Sequence, residues 1–285
     1  MRSDLDEPVA LRSGPRWRRQ LALMPVALLF LIPLLWMIST SLKRHDQVFT
    51  WPPVLIPNPA QWHNFLDVLV KDGFGRYLLN TIALSTVVTV GTLFSATLTA
   101  YSLARVDWKW RNAAFLLVIS TMLLPDFVTI IPLFSMYQKL GLVGGVPGFL
   151  PLVLPAWFGK AYFIFLMRQF MLGIPTELSD AARMDGCSEL GILLRIVLPL
   201  CRPALLSVAL FSIIATWSDV LQPLVYLRDE KYFTVSLGLA QFQGRYVTQW
   251  EQMLAAASVT AVPVLIVFVL AQKKFVRGIS TTGIK

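Results

Sequence analysis

Three charged residues, Asp126, Lys160 and Asp219, lie inside otherwise apolar stretches of this sequence. Placing a charge at the centre of a bilayer costs about 2.5–3.5 kcal/mol on insertion scales, so such residues usually face a bundle interior or a water-filled cavity. We therefore predict that they line a pathway for a polar solute. Alternatively, the two aspartates lie near the external interface, and Lys160 extends outwards or pairs with a carboxylate.

Asp219 has neighbours whose side chains are suited to binding a solute. Trp217 and Ser218 precede it, and Gln222 and Tyr226 follow at i+3 and i+7. On a continuous helix this spacing places Asp219, Gln222 and Tyr226 on one face. Aromatic faces combined with hydrogen-bonding groups suit a polyhydroxylated solute. Aromatic residues near the end of a membrane span also form interfacial belts, which is the alternative interpretation.

The sequence has no constellation typical of an enzyme or a metal site. It contains two histidines and two cysteines, Cys187 and Cys201, and neither a Ser-His-Asp set nor a group of carboxylates on one side. A phosphate-binding GxxxxGK[ST] loop is also missing from the sequence. We predict that the chain is not an enzyme and holds no metal, no disulfide framework and no cofactor, so any ATP is hydrolysed elsewhere.

The composition is that of a membrane protein. Hydrophobic residues make up 56% of the chain and charged residues 14%, against about a quarter charged in soluble proteins. A helix needs about 20 mainly apolar residues to cross roughly 30 Å of hydrocarbon. Six such stretches occur, with cores at 21–37, 78–103, 113–134, 149–170, 203–227 and 253–271. The sequence predicts an all-α polytopic protein with six transmembrane helices. The first stretch is long for a secretory signal and lacks a convincing cleavage site, so we expect it to stay as an anchor.

The net charge of +9 does not indicate a nucleic-acid partner, because Lys and Arg flank the apolar stretches. Their position favours contact with lipid headgroups. Most of these residues fall on the side that holds both termini and the second and fourth loops, which predicts cytoplasmic termini. We divide the chain into an N-terminal arm (1–20), a six-span membrane domain (21–272) and a tail (273–285). The tail contains Gly278 and Gly283, so we do not expect it to be helical.

The loop between the fourth and fifth stretches, residues 173–202, has the signals of two short helices. Thr176, with Glu177 and Asp180 in the first turn, favours a helix start because carboxylates stabilise the positive end of the helix dipole. Gly186 favours a stop, since glycine takes the left-handed conformation at least cost. Ser188 can begin the second helix.

Both predicted loop helices carry apolar side chains. On the first these are Leu178, Ala181 and Ala182, and on the second they are Leu190, Leu193, Leu194 and Val197. Such faces either pack on the protein's own bundle or bind a partner. Periodicity does not decide between the two.

A specific pattern in this loop resembles a known family. It consists of Asp180-Ala181-Ala182, three residues, Gly186, nine residues, and Ile196-Val197-Leu198-Pro199. It is similar to the E-A-A, three residues, G, nine residues, I-x-L-P pattern in the inner-membrane subunits of binding-protein-dependent ABC importers. The one departure is Asp180 in place of Glu, which shortens the reach of the carboxylate by one methylene.

The resemblance covers nearly the whole chain and narrows to the MalG-like permeases of carbohydrate uptake. The further matching segments are 101–105, 168–170, 174–175 and 271–278. It implies half of a heterodimeric channel in a bacterial or archaeal inner membrane. The implied partners are a MalF-like permease, two ABC ATPase subunits that use ATP and Mg, and an extracytoplasmic solute-binding protein.

The resemblance also assigns roles to residues of the loop. The first loop helix would sit in a cleft of an ATPase subunit and couple ATP hydrolysis to the channel. The residues implied in this coupling are Glu177, Asp180, Ala181, Ala182, Asp185, Gly186, Leu198 and Pro199. The tail would contact the ATPase pair, or else be a solvated stretch of positive charge.

The alternative function is that of an ion-coupled secondary transporter of a small polar solute. Such transporters usually show internal symmetry, and no second half is evident in this sequence. The solute itself is left open among sugars, polyols and glycerol phosphodiesters.

Overall fold

The computed structural model describes residues 16–245 and 249–282. This part of the chain contains no β-strand, and its all-α architecture confirms the predicted fold class. The helices, in chain order, are α1 (Arg16–Ser41), α2 (His63–Leu66), α3 (Phe74–Ala104), α4 (Arg111–Ser120), α5 (Asp126–Lys139), α6 (Leu150–Trp157), α7 (Ala161–Leu172), α8 (Glu177–Met184), α9 (Glu189–Ile192), α10 (Leu198–Leu200), α11 (Arg202–Ser218), α12 (Leu221–Tyr226), α13 (Val235–Arg245) and α14 (Trp250–Thr282).

Three of the predicted spans are single continuous helices. They are α1, α3 and α14, with 26, 31 and 33 residues. At 1.5 Å per residue each is longer than the roughly 30 Å of a bilayer core. The first, second and sixth apolar stretches are thereby confirmed as helices long enough to cross, and α1 starts at Arg16, before the predicted core.

The other three predicted spans are broken. In the third, α4 and α5 meet at 99°. The reason is local: Leu124 is extended, as a residue before proline prefers, and Pro125 directly precedes α5. In the fourth, Gly159 separates α6 from α7 with φ +96°. In the fifth, α11 ends at Ser218 and Asp219 is extended.

In the described residues, four helical stretches are each long and apolar enough to cross a membrane: the three continuous helices and, counted as one stretch despite its break, Val146–Leu172 with α6 and α7. Two bent pairs bring the number to as many as six. The second bent pair joins residues 189–200, at the end of the predicted cytoplasmic loop, to α11 at 79°. A count of six is therefore consistent with the sequence prediction, although half of the spans are not straight rods.

The central element of the fold is α3. It packs against α6, α7 and α11, and 56% of its apolar window is buried, compared with 6% for α1, which packs mainly on α14. Small residues allow these close approaches. A Cβ built on Gly91 would lie 2.4 Å from the ring of Trp157, and Ser95 donates to the carbonyl of Ala156 at 2.7 Å. Packing against α3 therefore holds α6, α7 and α11 in place, and these helices border the breaks of the fourth and fifth spans.

The tail departs from its prediction. The backbone of α14 continues as a helix through Gly278 to Thr282. Extending an existing helix needs no new nucleation, and one glycine costs only about 1 kcal/mol, so glycine content was a poor guide here. Tail side chains from residue 273 onwards and residues 1–15 of the predicted arm lie outside the described part, and the domain boundaries stay predictions.

Candidate functional site

The largest described cavity lies between α3, the α4–α5 pair, the α6–α7 pair and the α11–α12 pair. We call this space of about 860 Å³ the central cavity. Its volume falls in the range of about 300–1,000 Å³ that is usual for sites that bind small molecules. Leu84 and Val88 of α3 form one wall, and Pro151 and Pro155 of α6 form part of another.

Each of the three helix breaks contributes residues to the central cavity. These are Leu124 and Pro125 at the first, Gly159 and Lys160 at the second, and Ser218 and Asp219 at the third. At membrane depth, non-helical backbone is tolerated only where it is buried in protein or lines a water-filled space. The meeting of three breaks at one cavity therefore favours a water-filled space there over a surface that faces lipid.

The charged residues singled out in the sequence lie at these breaks. Lys160 is the residue before α7, and Asp219 is the residue after α11. Both line the central cavity together with Gln222 and Tyr226. Asp126 begins α5 one residue after the cavity-lining Pro125, but its side chain lies outside the described ones.

Two details of the predicted solute site need correction. Asp219 does not share a helical face with Gln222 and Tyr226, because the helix is interrupted at Asp219 and resumes only at Leu221. The break brings them together instead: the Asp219 Oδ1 accepts a hydrogen bond from the Gln222 backbone N–H at 3.2 Å. Trp217 does not line the cavity and is buried in a cluster that includes Val235.

Sequence patterns missed several hydroxyl-bearing residues of the cavity wall. Tyr137, Tyr162, Thr129 and Thr216 line it without any charge or motif to mark them. Tyr137 also packs edge-on against Tyr226, with ring centroids 5.6 Å apart. Such residues resemble ordinary core positions in a sequence, and only the packing shows which of them face the space.

The second candidate region is the predicted cytoplasmic loop, which we call the coupling loop (residues 173–202). Its two predicted helices are confirmed as α8 and α9. Gly186 lies between them with φ +79°, the left-handed conformation that was expected there. The Ser188 hydroxyl accepts a hydrogen bond from the Gly191 backbone N–H at 3.3 Å and so begins α9.

A charged cluster holds the two loop helices together across Gly186. The Arg183 guanidinium lies 2.7 Å from the Asp180 Oδ1 and 2.7 Å from the Glu189 Oε1. Glu189 also accepts a hydrogen bond from the Tyr101 hydroxyl of α3 at 2.6 Å. The shorter reach of Asp180, compared with Glu, is thus sufficient for contact with Arg183 within the same helix.

Arg105, just after α3, fixes the start of the coupling loop. Its buried guanidinium donates to the carbonyls of Met171 and Ile174 at the end of α7, where a cation is favourable. Its own carbonyl accepts a hydrogen bond from Arg183 at 3.3 Å. Nearby, the Arg168 guanidinium donates to the carbonyl of Leu103 at 3.2 Å. Hydrogen bonds therefore run in both directions: Arg105 donates to the end of α7, and Arg168 and Arg183 donate to the backbone at the end of α3. Together they attach the loop to α3.

These contacts affect the two arginines differently. Burial lowers the pKa of Arg105, whereas the hydrogen bond to Glu189 is the main cause that raises the pKa of Arg183. Because an arginine stays protonated in proteins, both remain cations that can hold the loop at any physiological pH.

The apolar side chains of the loop divide into a buried and an exposed set. Ala182, Leu193 and Val197 belong to the core cluster around the end of α3. The predicted stripe on the second helix is therefore split, because Leu190 and Leu194 stay exposed. On the two loop helices and the turn directly after them, the exposed set is Leu178, Met184, Leu190 and Leu194, with Met184 at 88% exposure; Leu200, near the end of the loop, is exposed as well.

Most of the residues implied in coupling lie at the surface of the loop. Glu177, Asp180, Ala181, Asp185, Gly186 and Pro199 are exposed, Leu198 is half-buried and Ala182 is buried. Arg183, Glu189 and Arg105 were not singled out from the sequence. The available signal was the opposite charge of Arg183 and Glu189 on the two sides of a glycine turn.

Comparisons with known proteins match both regions. Residues 92–281 match the model of the family described as binding-protein-dependent transport system inner membrane component. The chain is 33% identical over 256 residues to a probable ABC transporter permease protein, YurM, of Bacillus subtilis, covering 89% of this chain and 83% of that protein. It is also 33% identical over 272 residues to the arabinooligosaccharides transport system permease protein AraQ of Halalkalibacterium halodurans, covering 94% and 96%.

A solved structure has the same fold. It is a chain of a bacterial ABC transporter involved in the import of the acidic polysaccharide alginate, with a TM-score of 0.78 and 25% identity, covering 94% of this chain and 100% of that one. A second structure, of a bacterial alginate ABC transporter with a periplasmic protein, has a TM-score of 0.60 at 17% identity and supports the fold alone. Since a family model matches well over half of the sequence, this chain belongs to the family of inner-membrane components of binding-protein-dependent transport systems.

Proposed function

We propose that this chain is one of two permease subunits of an ATP-driven importer and forms half of the pathway for a carbohydrate or related polyol. Its family consists of transport permease subunits, which are not enzymes. We assign ATP hydrolysis, with Mg, to two ABC ATPase subunits that bind the coupling loop. Membership of this family does not favour the alternative of an ion-coupled secondary transporter.

The observation that carries this proposal is the construction of the coupling loop. Its exposed apolar set is presented by two short helices that the Arg183 cluster holds together. The same cluster ties them to Tyr101 and Arg105, at the end of the central helix α3. A braced helix can transmit a movement of a bound partner to the spans, whereas a flexible loop would absorb it.

The remaining partners follow from the family and from the charge pattern. We propose a MalF-like permease as the other half of the channel and an extracytoplasmic solute-binding protein that delivers the solute. Both termini are placed in the cytoplasm, on the side where Lys and Arg accumulate. The description of the family as a component of binding-protein-dependent transport systems supports the binding-protein partner.

Relatives indicate the class of solute but not its charge. Similar permeases serve arabinooligosaccharides in Halalkalibacterium halodurans and sn-glycerol-3-phosphate in Pectobacterium atrosepticum. The similar solved structure belongs to an importer of an acidic polysaccharide. The shared chemistry is a molecule rich in hydroxyl groups, which the hydroxyl-lined central cavity can match.

Cysteine crosslinking on the assembled complex tests the role of the coupling loop. In a chain carrying Cys187→Ser and Cys201→Ala, Leu178→Cys places a thiol on the exposed face of α8. We expect a short bifunctional thiol reagent to join it to an ATPase subunit that carries engineered surface cysteines. The matched control is Ile56→Cys, which is also exposed but lies between α1 and α2, on the predicted external side.

The outcome separates the proposal from its alternatives. Capture of the ATPase from position 178 and not from position 56 supports both the docking and the orientation. If position 178 never captures an ATPase, or if position 56 does, the assigned coupling surface is wrong.

A further inference from the structure

We propose that residues 47–62, between α1 and α2, lie in the lipid–water interface on the predicted external side of the membrane. We call these residues the first-loop segment, and the partner of their apolar side chains is the membrane surface. The inference goes beyond the proposed function, because it concerns a contact with lipid and neither the transported solute nor the ATPase.

The first-loop segment carries no charged residue. Its 16 residues include no Asp, Glu, Lys, Arg or His, whereas Arg44 and Asp46 precede it and Asp67 and Lys71 follow it. At the usual share of charged residues in soluble proteins, a water-facing segment of this length would carry about four. Trp and Phe are frequent in the segment instead, and aromatic residues of this kind collect at membrane–water interfaces.

The large apolar side chains of the segment are exposed. Trp51 is 91% exposed and Ile56 82%, and the exposed set consists of Phe49, Trp51, Leu55, Ile56 and Trp62. Single exposed apolar residues are normal on a protein surface, but a concentration of them indicates an interaction site. The segment therefore needs a partner that covers it.

Hydrogen bonds hold the segment against the end of α1. The Ser39 hydroxyl of α1 donates to the backbone carbonyl of Leu55. The Gln61 backbone N–H donates to the carbonyl of Leu42 at 2.8 Å. Ser39 lies in the last turn of α1, two residues past the predicted apolar core at 21–37. The segment thus lies beside the end of a membrane helix, at the depth where hydrocarbon gives way to headgroups.

The segment also reaches the start of α14. The ring of Phe49 packs edge-on against Trp250, with ring centroids 6.0 Å apart. Just before the segment, the His45 Nδ1 lies 3.3 Å from the Glu251 Oε1. These contacts join the outer ends of α1 and α14, of whose apolar windows only 6% and 17% are buried. An interfacial anchor at this point would fix the depth of two helices that the rest of the chain covers little.

The proline content suits an irregular segment at the bilayer edge. Four of the 16 residues are prolines, at positions 52, 53, 57 and 59, and each lacks a backbone N–H donor. Unsatisfied backbone donors exclude irregular chain from the lipid-facing hydrocarbon core. The Gln47 side-chain amide satisfies one acceptor, the Asn58 carbonyl, at 3.2 Å. The segment is therefore suited to the interface, where water is still within reach, and not to the core.

The absence of charge favours the membrane over a soluble protein as the partner. A solute-binding protein that associates and dissociates would leave these apolar side chains in water between encounters. Transient protein interfaces also have a polar rim and complementary charges that guide association. The first-loop segment has no charged group to supply either. The bilayer is present at all times and needs no complementary charge.

Spin labelling of the complete importer in liposomes tests the inference. In a chain carrying Cys187→Ser and Cys201→Ala, Ile56→Cys carries a nitroxide on the exposed part of the segment. Its collision rates are measured with oxygen, which concentrates in lipid, and with a neutral polar nickel complex, which stays in water. Asp229→Cys is the matched control, because Asp229 is an exposed charged residue on the predicted external side. The ratio of oxygen to nickel collisions at position 56 should exceed that at 229 at least about fivefold, because apolar surroundings exclude the polar complex.

A second position and a second probe measure depth independently. Trp51→Cys replaces another exposed residue of the segment and gives the same test if the variant at position 56 does not assemble. A bimane fluorophore on either thiol is then compared in liposomes of brominated lipids. Bromine near the headgroups should quench it more strongly than bromine near the ends of the acyl chains, as an interfacial location requires.

The other possible partners give different results. Frequent nickel collisions at positions 51 and 56, equal to those at 229, place the segment in water and overturn the inference. An immobile label that neither oxygen nor the nickel complex reaches means that the second permease or the binding protein covers the segment, which also overturns it. Stronger quenching by the deep bromines contradicts an interfacial depth. The importer function is judged separately, by ATP-dependent uptake of a hydroxyl-rich solute in the same liposomes.

Discussion

The coupling loop and the central cavity use polar residues in opposite ways. In the loop, Arg183 contacts two carboxylates at 2.7 Å each, and the surrounding helices rest on buried apolar residues. In the cavity, residues of three helix breaks, among them Lys160 and Asp219, line a space of about 860 Å³. The comparison shows that tight pairing occurs where two helices must move as one, and open polar surface occurs where a solute could pass.

One helix connects the two regions. Val88 of α3 faces the central cavity, and Tyr101 of the same helix contacts Glu189 of the coupling loop. Thirteen residues separate them, about 20 Å along an α-helix. A displacement of the loop can therefore reach the cavity through α3 without any intervening flexible segment.

The largest expected effect comes from the turn between the loop helices. Gly186 has φ +79° and no neighbour within 4 Å of a built Cβ, so Gly186→Val introduces backbone strain without a clash. Strain of this kind costs on the order of 1–3 kcal/mol, and we expect ATP-driven uptake to fall at least about tenfold. Uptake and ATPase activity of the reconstituted complex measure the loss of coupling.

A matched control for this prediction lies on the opposite, predicted external side. Gly141 has φ +70° and equally open surroundings, so Gly141→Val introduces the same strain far from the coupling loop. It should lower thermal stability with little change in uptake per folded complex. Equal losses of uptake in the two variants would contradict a specific role of the coupling loop in transport.

A moderate effect is expected from the charged cluster. Arg183→Lys keeps the positive charge but cannot contact Asp180 and Glu189 at once with a planar fork. Because these side chains are partly exposed, the pairing contributes about 0–1 kcal/mol, and uptake should fall roughly two- to fivefold. Arg195→Lys, an exposed loop arginine with no described ion pair, should have no effect, and a comparable loss there would argue against the cluster.

The smallest effect is expected in the cavity. Tyr162, a half-exposed residue of the cavity wall, is the site to change: Tyr162→Phe keeps the ring packed against Phe163 and removes only the hydroxyl. One hydrogen bond contributes about 0.5–1.5 kcal/mol, so the apparent affinity for the sugar should weaken about threefold while the fold stays stable. Tyr232→Phe, outside the cavity, is the matched control. Unchanged affinity in both variants would exclude Tyr162 from contact with the solute.

Much of the fold could be predicted from the sequence because its signals are local. Long apolar stretches identify α1, α3 and α14, and turn residues locate α8 and the left-handed Gly186. The errors also have local causes. Periodicity extended one helix across Asp219, where the backbone is broken, and glycine content led to the expectation of a tail that is not helical.

The residues of the candidate site could be predicted from the sequence only in part. Lys160 and Asp219 stood out because a charge in an apolar stretch is costly. The hydroxyl groups that accompany them, such as Tyr162 and Thr216, carry no such signal. Trp217 has an aromatic side chain suited to a sugar and lies two residues before Asp219, so it was predicted to bind the solute. It packs instead into a core cluster that does not line the cavity.

The sequence by itself determined which segments cross the membrane, where the loop helices begin and end, and which residues are expensive to bury. These properties depend on the helical repeat and on side-chain chemistry within a few residues of chain. Only the tertiary structure decided that three helix breaks meet around one cavity, and that Arg183, Glu189, Tyr101 and Arg105 meet at one end of α3. Those meetings join residues up to about 100 positions apart, and packing against α3, which no local pattern encodes, brings them together.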